Sequence, residues 1–178
     1  MHRLPARSPA LLRRTTLPDG TPIGLRSLRP SDQRALRAWF CQISPESRYL
    51  RLHGHVSDLP AALWRYLTTV DGQDHVAVVA YAGRRRARMV GVARLIRLVD
   101  HPDTAEVAFL VSDDMQRRGV GRLLLEALLA SAQPRGIRAF HAHVLPSNHA
   151  VRRLLAVPAL ELVSESEGIL HLLATRSG

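Results

Sequence analysis

Apolar and polar positions alternate along the chain in segments that predict a sheet with helices packed on it. Residues 23–28 alternate in the way that a half-buried strand does. The next segments carry apolar side chains three and four positions apart, which is helical spacing, and they predict helices at 33–40, 44–54 and 60–70. A strand followed by three short helices therefore opens the predicted fold.

The pattern changes to strand after the turn signal Asp71-Gly72. Runs rich in β-branched residues and alanine then predict strands at 75–81, 89–99, 105–111 and 137–144. An apolar helix that begins around Gly119 and ends near Pro134 interrupts these strands. Another helix at 148–157 and a hairpin at 160–174 complete the chain, so the element order predicts a mixed α/β sheet.

Length and composition indicate one ordinary domain. The chain has 178 residues, of which 46% are hydrophobic. Residues 1–18 contain no acidic side chain and are predicted to form a flexible basic arm, while residues 19–178 form the domain. The single cysteine, Cys41, cannot form an internal disulfide, and its apolar neighbours favour a small buried side chain. No apolar run approaches the ~20 residues of a transmembrane helix, and no signal-peptide core is present, so we expect a cytoplasmic protein without membrane contact.

The charge is unusual because all 25 basic residues are arginine, and the formal net charge is +10. Such an excess attracts polyanions, which include nucleic acids and phosphorylated cofactors. Nucleic acid is nevertheless not expected as the main partner, because the arginines are scattered and aromatic residues make up only 4% of the chain. The oligomeric state cannot be predicted from these features.

One segment carries a specific chemical signal. At 105–125 a strand runs through a short acidic turn into Gln116-Arg117-Arg118-Gly119-Val120-Gly121-Arg122 and then into an apolar helix. Glycines two positions apart at a helix start allow main-chain N–H groups to approach a ligand closely. The unpaired amides of the first turn, the helix dipole and three arginines all favour an anion there. The segment has neither the Walker pattern nor the dinucleotide-binding pattern of glycines.

This glycine-containing segment resembles the acyl-CoA-binding motif of the GNAT superfamily of N-acyltransferases. The order of elements over most of residues 20–174 resembles that fold as well. The resemblance implies a mixed, mostly antiparallel central sheet of about seven strands flanked by helices. More narrowly, the segments 19–32, 44–49 and 69–77 resemble the acetyltransferase domain of bacterial protein lysine acetyltransferases.

The resemblance implies direct transfer of an acetyl group from acetyl-CoA to an amine, in a ternary complex and without a metal. Backbone groups of Phe109, Leu110 and Val111 would then pair with the pantetheine arm as an added strand. The main-chain amides from Gln116 to Arg122 would hold the pyrophosphate. Asn148 matches the family asparagine near the sulfur end of the cofactor.

Amine acetylation needs a base, because a lysine with a pKa near ~10.4 is protonated at neutral pH. Glu106 is the candidate, since strand alternation places it on one face with Ala108 and Leu110. A carboxylate in such surroundings is partly desolvated, and the matching glutamate of the protein acetyltransferases has this role. The alternative is a structural ion pair between Glu106 and Arg94 or Arg97.

The sequence departs from the family at the position of the usual proton donor. Many GNAT enzymes carry a tyrosine in the helix after the asparagine, but this chain has leucine in the aligned stretch, at Leu154 and Leu155. This departure puts a general acid in doubt but leaves acyl transfer intact, because a thiolate is a fair leaving group.

Two histidine pairs, His53 with His55 and His141 with His143, have a spacing that puts both rings on one strand face. No third ligand accompanies either pair, so no metal site is predicted. The second pair lies on the strand predicted to flank the cofactor, where a contact with substrate would be possible.

The leading hypothesis is an acetyl-CoA-dependent N-acetyltransferase that acts on protein lysines. A small-molecule amine is the second choice of acceptor. A noncatalytic acyl-CoA-sensing domain remains open, as does a basic module that binds nucleic acid or a protein partner. Acceptor specificity lies in the helices before residue 75 and in the segments after residue 145, which the sequence does not decode.

Overall fold

The computed structural model describes residues 11–84, 87–157, 159–167 and 169–174, and an eight-stranded sheet organises them. The strands are β1 (Leu11–Thr16), β2 (Pro22–Ser27), β3 (His75–Ala82), β4 (Arg88–Arg97), β5 (Thr104–Val111), β6 (Ala139–His143), β7 (Leu160–Ser166) and β8 (Ile169–Ala174). The helices are α1 (Gln33–Phe40), α2 (Pro45–Leu52), α3 (Ala61–Thr68), α4 (Val120–Ala132) and α5 (His149–Leu155). The mixed, mostly antiparallel sheet flanked by helices is thus confirmed.

The strands lie in the order β1-β2-β3-β4-β5-β6-β8-β7, and every neighbouring pair is antiparallel except β5 with β6. The parallel pairing of β5 with β6 joins only Thr104 to Ala139, Ala105 to Phe140 and Glu106 to His141. Since β5 continues to Val111, its last five residues have no partner in β6. The sheet therefore opens into a wedge immediately after Glu106.

Two apolar cores cover the two faces of the sheet. One core contains Val107 and Phe109 of β5 together with the buried face of α4, including Leu124 and Leu128. The other contains Leu110 and packs against the apolar side chains of α1 and α3. Strand alternation therefore places Glu106, Ala108 and Leu110 on one face, as the sequence predicted, and this face is the one covered by the first three helices.

The first strand, β1, is a correction to the sequence analysis. Leu11–Thr16 pairs antiparallel with β2, so the prediction of a flexible arm is wrong for this stretch, while residues 1–10 lie outside the described part. The Asp19-Gly20 turn closes this hairpin, and the Asp19 carboxylate accepts a hydrogen bond from the Thr21 N–H at 2.9 Å. The sequence of this edge strand, Leu-Leu-Arg-Arg-Thr-Thr, sets like residues next to each other, so it shows no apolar alternation. This strand raises the count from about seven to eight among the described residues.

Cys41 is a second correction, because its side chain is exposed rather than buried. The residue is the C-cap of α1, just after Trp39 and Phe40, which do enter the core. A single step along the chain thus separates the buried Phe40 from a position that faces solvent. In the described part of the chain, no helix has the length and apolar character needed to cross a membrane.

Candidate active site

A cavity of about 500 Å³ fills the wedge between β5 and β6. The start of α4, the start of α5 and the end of α2 close its other sides. Ten of the twelve residues that the sequence analysis proposed for the site line this cavity: Glu106, Phe109, Leu110, Val111, Gln116, Arg117, Gly119, Gly121, Arg122 and Asn148. One cavity therefore brings the glycine-containing segment, the candidate base and the family asparagine together.

The first turn of α4 presents main-chain donors to the cavity. Gly119 is the N-cap with φ 99°, a left-handed conformation that favours glycine, and no side chain caps the helix. The first helical hydrogen bond runs from the Leu123 N–H to the Gly119 carbonyl at 3.1 Å. The amides of Val120, Gly121 and Arg122 therefore have no partner within the helix. Such a helix start suits an anion.

Gly121 keeps this helix start open. A Cβ at this position would lie 3.4 Å from Cδ2 of Leu154, on the facing helix α5. Both residues line the cavity, so a side chain on residue 121 would fill the space beside the amides. The glycine is needed here for close approach rather than for its backbone angles.

Cationic side chains surround the same end of the cavity. Arg117, Arg122 and Arg153 all line it, and Arg117 has φ 57°, a left-handed conformation that a non-glycine residue adopts at some cost. Arg122 also contacts Glu126 at 3.2 Å, but both side chains are exposed. These three arginines supply the positive charge that a diphosphate would require.

Two proposed site residues do not line the cavity with their side chains. Arg118 forms an ion pair with Asp19 and donates to the Thr21 hydroxyl at 2.8 Å. Val120 is completely buried in the core. Both side chains are therefore structural, and the contribution to ligand binding proposed for these positions is confined to their main-chain amides.

We expect Arg118→Gln to change the affinity for acetyl-CoA by less than twofold, because the guanidinium is directed to the β1–β2 turn. The substitution should lower the melting temperature, since it removes the link between that turn and the start of α4. Calorimetric titration and a thermal melt measure the two effects separately. Arg122→Gln, which removes an equal charge at the cavity, should by contrast weaken the binding of acetyl-CoA several-fold. Equal losses of affinity in both variants would contradict the assignment of Arg118 to stability and of Arg122 to binding.

Gln116 links the cavity to α2. Its side-chain amide donates to the Ser47 hydroxyl at 2.9 Å and to the Val111 carbonyl at 3.3 Å. Asp113 accepts further hydrogen bonds from the Ser44 N–H at 2.9 Å and the Ser47 hydroxyl at 2.6 Å. The end of β5 is thus tied to the helix that carries the opposite wall of the cavity.

Asn148 is buried and caps α5. Its side-chain oxygen accepts a hydrogen bond from the Val151 N–H at 3.2 Å. Its amide nitrogen donates to no other described residue. Because Asn148 lines the cavity, that nitrogen is a donor available to a ligand.

Glu106 lies at the apex of the wedge and is partly exposed to the cavity. The two arginines considered as its structural partners are engaged elsewhere. Arg97 donates to the Asp74 carboxylate at 2.7 Å, and Arg94 donates to the Leu67 carbonyl at 3.0 Å. Among the described ion pairs, none involves Glu106. The carboxylate is therefore free to meet a substrate.

Histidines surround this apex. His141 lies beside Glu106 across the strand pairing, and its ring contacts that of His171 at 3.0 Å. His143 lines the cavity itself, and the contact with substrate considered from the sequence stays a prediction. Burial and the nearby charges of His171, His101 and His143 lower the pKa of His141, so this ring is expected to be neutral at pH 7. No cluster of potential metal ligands occurs in the described ranges.

Three polar or charged residues that line the cavity were not proposed as site residues from the sequence: Ser47, Arg51 and Arg153. The first two belong to α2, whose register against β5 is a tertiary feature. Arg153 follows Asn148 by five positions, and only its helical placement on α5 could have indicated it.

His75 and Arg94 form a buried polar pair on the sheet face that carries Glu106. The Arg94 guanidinium lies 2.5 Å from Nε2 of His75. Burial and the Arg94 charge lower the pKa of His75 to about 4. The imidazole is therefore neutral at pH 7 and accepts a hydrogen bond from Arg94.

This pair predicts a loss of stability in mild acid. The folded state binds the His75 proton more weakly than the unfolded chain, so the stability contribution is complete above pH 6.5 and declines as the pH falls toward 4. At about 1.4 kcal/mol per pH unit, the wild type should lose about 2 kcal/mol from this group between pH 7 and pH 5. His75→Gln, which cannot titrate, should escape this loss in denaturant unfolding. The exposed His101→Gln is the control, and an identical pH dependence in the wild type and His75→Gln would contradict the assignment.

The comparisons with known proteins indicate the same class of protein as the geometry of the cavity does. A model of the Acetyltransferase (GNAT) family matches residues 36–156. The acetyltransferase Pat of Mycolicibacterium smegmatis is 34% identical over 145 residues, which are 82% of this chain and 43% of Pat. The crystal structure of the GNAT domain of S. lividans PAT superimposes with a TM-score of 0.81 at 31% identity and covers 96% of this chain and 98% of that domain.

A cAMP-binding acyltransferase from Mycobacterium smegmatis also superimposes, with a TM-score of 0.64 and 29% identity. The alignment covers 96% of this chain but only 48% of that protein. The chain thus spans less than half the length of two of these relatives. A wedge-shaped, helix-capped cavity in a mostly antiparallel sheet is the architecture of an acyltransferase domain. The chain belongs to the GNAT family of acetyltransferases.

Proposed function

We propose that the chain is an acetyl-CoA-dependent N-acetyltransferase that acetylates lysine side chains of proteins in the cytoplasm, in a ternary complex, with Glu106 as the general base. One observation carries the proposal: a single cavity is lined by the open helix start at Gly119 to Arg122 and by Glu106. A phosphate-binding end and a candidate base thus lie in one continuous space.

The α4 end of the cavity is suited to the diphosphate of coenzyme A. The amides of Val120, Gly121 and Arg122 provide main-chain donors, and the helix dipole adds partial positive charge. Arg117, Arg122 and Arg153 neutralise the remaining charge. At this end of the cavity the lining side chains that carry charge are cationic, and the one carboxylate among the described lining residues, Glu106, lies at the apex of the wedge.

The unpaired edge of β5 is suited to the pantetheine arm. Beyond Glu106 this strand has no partner in β6, and Phe109, Leu110 and Val111 line the cavity. Main-chain groups on that edge could pair with the amides of pantetheine as with an added strand. Asn148 supplies a further donor on the opposite wall.

The chemistry then needs one proton acceptor near the amine. Acetyl-CoA supplies the acetyl group as an activated thioester. The bond between the acceptor nitrogen and the acetyl carbonyl carbon forms, and the bond between that carbon and the sulfur of coenzyme A breaks. Glu106 takes a proton from the ammonium of the acceptor, directly or through water, and so provides the neutral amine that attacks. Glu106 lies at the apex of the wedge, which is the closed end of the space where β5 would hold the pantetheine arm.

Coenzyme A leaves as a thiolate in this proposal. Leu154, one of the two leucines at the position of the usual family tyrosine, lines the cavity, and Leu155 is buried. No tyrosine lines the cavity among the described residues. A thiol with a pKa near ~8.5 needs little assistance to leave, so no protein acid is required.

A protein lysine is proposed as acceptor because the relative from S. lividans carries the name PAT and aligns over nearly the whole of this chain. The test is release of free thiol from acetyl-CoA with a panel of protein, peptide and small-amine acceptors, combined with mass spectrometry of the product. Acetylated lysine in a protein supports the proposal. Turnover with small amines alone would reassign the acceptor, and coenzyme binding without any turnover would indicate a sensor.

A further inference from the structure

Arg51 occupies an unusual position at the end of the cavity that contains Glu106, where the acceptor amine would enter; this is called the acceptor end below. It lies in the last turn of α2 and lines the cavity together with Glu106. Within the described ranges, its guanidinium donates no hydrogen bond and forms no direct ion pair, whereas most other cavity arginines and core arginines have protein partners. A guanidinium without a hydrogen-bond or ion-pair partner among the described residues thus faces the space where the substrates would meet.

The surroundings make this charge costly in the free protein. Burial lowers the pKa of Arg51, and the charge of Glu106 offsets that effect only in part. An arginine is normally kept in such a place only when a partner satisfies it. The protein offers no such partner among the described residues, so a ligand that enters the cavity can supply one in place of water.

A count of the nearby charges gives the sign of that ligand. Arg51 and Arg94 are both cationic, and Arg94 is satisfied by neutral groups, the Leu67 carbonyl and His75. The histidines near the apex, His53, His141 and His143, contribute no negative charge. Glu106 is the only carboxylate that lines the cavity in the described part of the chain. A protonated amine entering this site would increase an existing positive excess.

We propose that Arg51 binds a carboxylate of one of the two substrates at the acceptor end of the cavity. The enzyme then prefers an acyl-CoA or an acceptor that carries such a carboxylate. The proposal rests on the proposed function. A guanidinium presents two parallel N–H donors that match both oxygens of a carboxylate. The carboxylate can come from an acidic residue beside the acceptor lysine or from the far end of a dicarboxylic acyl group. Both sources present the same chemistry to Arg51.

The experiment has two arms that separate these sources. In the first, succinyl-CoA and butyryl-CoA, which differ by a terminal carboxylate, are titrated calorimetrically into the wild type and Arg51→Gln. In the second, two peptides with a lysine flanked by glutamates or by glutamines are titrated in the presence of coenzyme A. Their kcat/KM values with acetyl-CoA are also measured. Arg34→Gln, which removes an exposed arginine of α1 outside the cavity, is the matched control.

In at least one arm, the carboxylate-bearing member should bind at least tenfold more tightly to the wild type. Arg51→Gln should abolish that ratio while changing the affinity for the uncharged member by less than twofold. Arg34→Gln should retain the ratio. Preference in the first arm assigns the carboxylate to the acyl group, and preference in the second assigns it to the acceptor. Arg51→Lys should recover only part of the ratio, because an ammonium lacks the paired donors.

A thermal melt provides a readout independent of catalysis. Arg51→Gln should raise the melting temperature of the ligand-free protein by about 2–4 °C, because it removes a charge without a protein partner from a partly desolvated position. Equal binding of both members by the wild type in both arms, or a ratio that survives Arg51→Gln, would overturn the proposal while leaving acetyl transfer intact. A wild type that binds no coenzyme would overturn the proposed function and this proposal with it.

Discussion

Glu106→Gln should lower kcat for amine acetylation by about 10²–10⁴-fold, the range that a positioned general base contributes. The substitution keeps the size and shape of the side chain at the apex of the wedge but removes its ability to accept a proton. The affinity for acetyl-CoA should change by less than twofold, because the diphosphate end of the cavity is formed by α4 and α5. Steady-state kinetics with free-thiol detection and calorimetric titration of acetyl-CoA measure the two quantities.

Glu161→Gln is the matched control for this variant, since Glu161 is exposed on β7 outside the cavity. It should retain wild-type kcat. Full kcat in Glu106→Gln at every pH tested would show that another group, or the solvent, removes the proton. The carboxylate would then have to be reassigned to acceptor binding or to stability.

Gly121→Val should weaken acetyl-CoA binding by about 10–100-fold, which corresponds to about 1.4–2.8 kcal/mol. The Cβ would already lie 3.4 Å from Leu154, and the two γ-methyl groups would occupy the space beside the first amides of α4. The helix itself should tolerate the change, because valine has a higher helix propensity than glycine. Calorimetric titration measures the affinity, and a thermal melt checks that the variant is folded.

The same substitution at Gly24 provides the control. Gly24 lies in β2, where an added Cβ would meet no heavy atom within 4 Å and where a β-branched residue suits the strand. Gly24→Val should bind acetyl-CoA as the wild type does. Undiminished binding in a folded Gly121→Val would mean that the diphosphate does not approach the start of α4.

Local sequence patterns were sufficient for the elements that position the site. α1 begins and ends where its apolar spacing predicted, at 33 and 40, and the strand that carries Glu106 begins within one residue of its predicted start. The glycines at 119 and 121 revealed the open helix start because their role depends on the backbone of their own turn. Period-two alternation likewise placed Glu106 on the correct face of β5.

Features that depend on distant parts of the chain were not predictable in this way. Arg51 reaches the cavity because α2 packs against β5, more than fifty positions later in the sequence. Arg118 belongs to the motif by its position, yet its side chain is drawn to Asp19 in a hairpin ninety-nine positions earlier. β1 was missed because its sequence, Leu-Leu-Arg-Arg-Thr-Thr, sets like residues next to each other and so gives no period-two signal.

The most direct test of the account is a calorimetric titration of acetyl-CoA into the folded wild-type chain. The account predicts saturable binding of one molecule per chain, with weaker binding in Arg117→Gln, Arg122→Gln and Arg153→Gln. It also predicts that added salt reduces the affinity, because charge neutralisation at the diphosphate contributes to it. A folded protein that gives no heat with acetyl-CoA or with coenzyme A itself would contradict the central claim that the start of α4 is a diphosphate site.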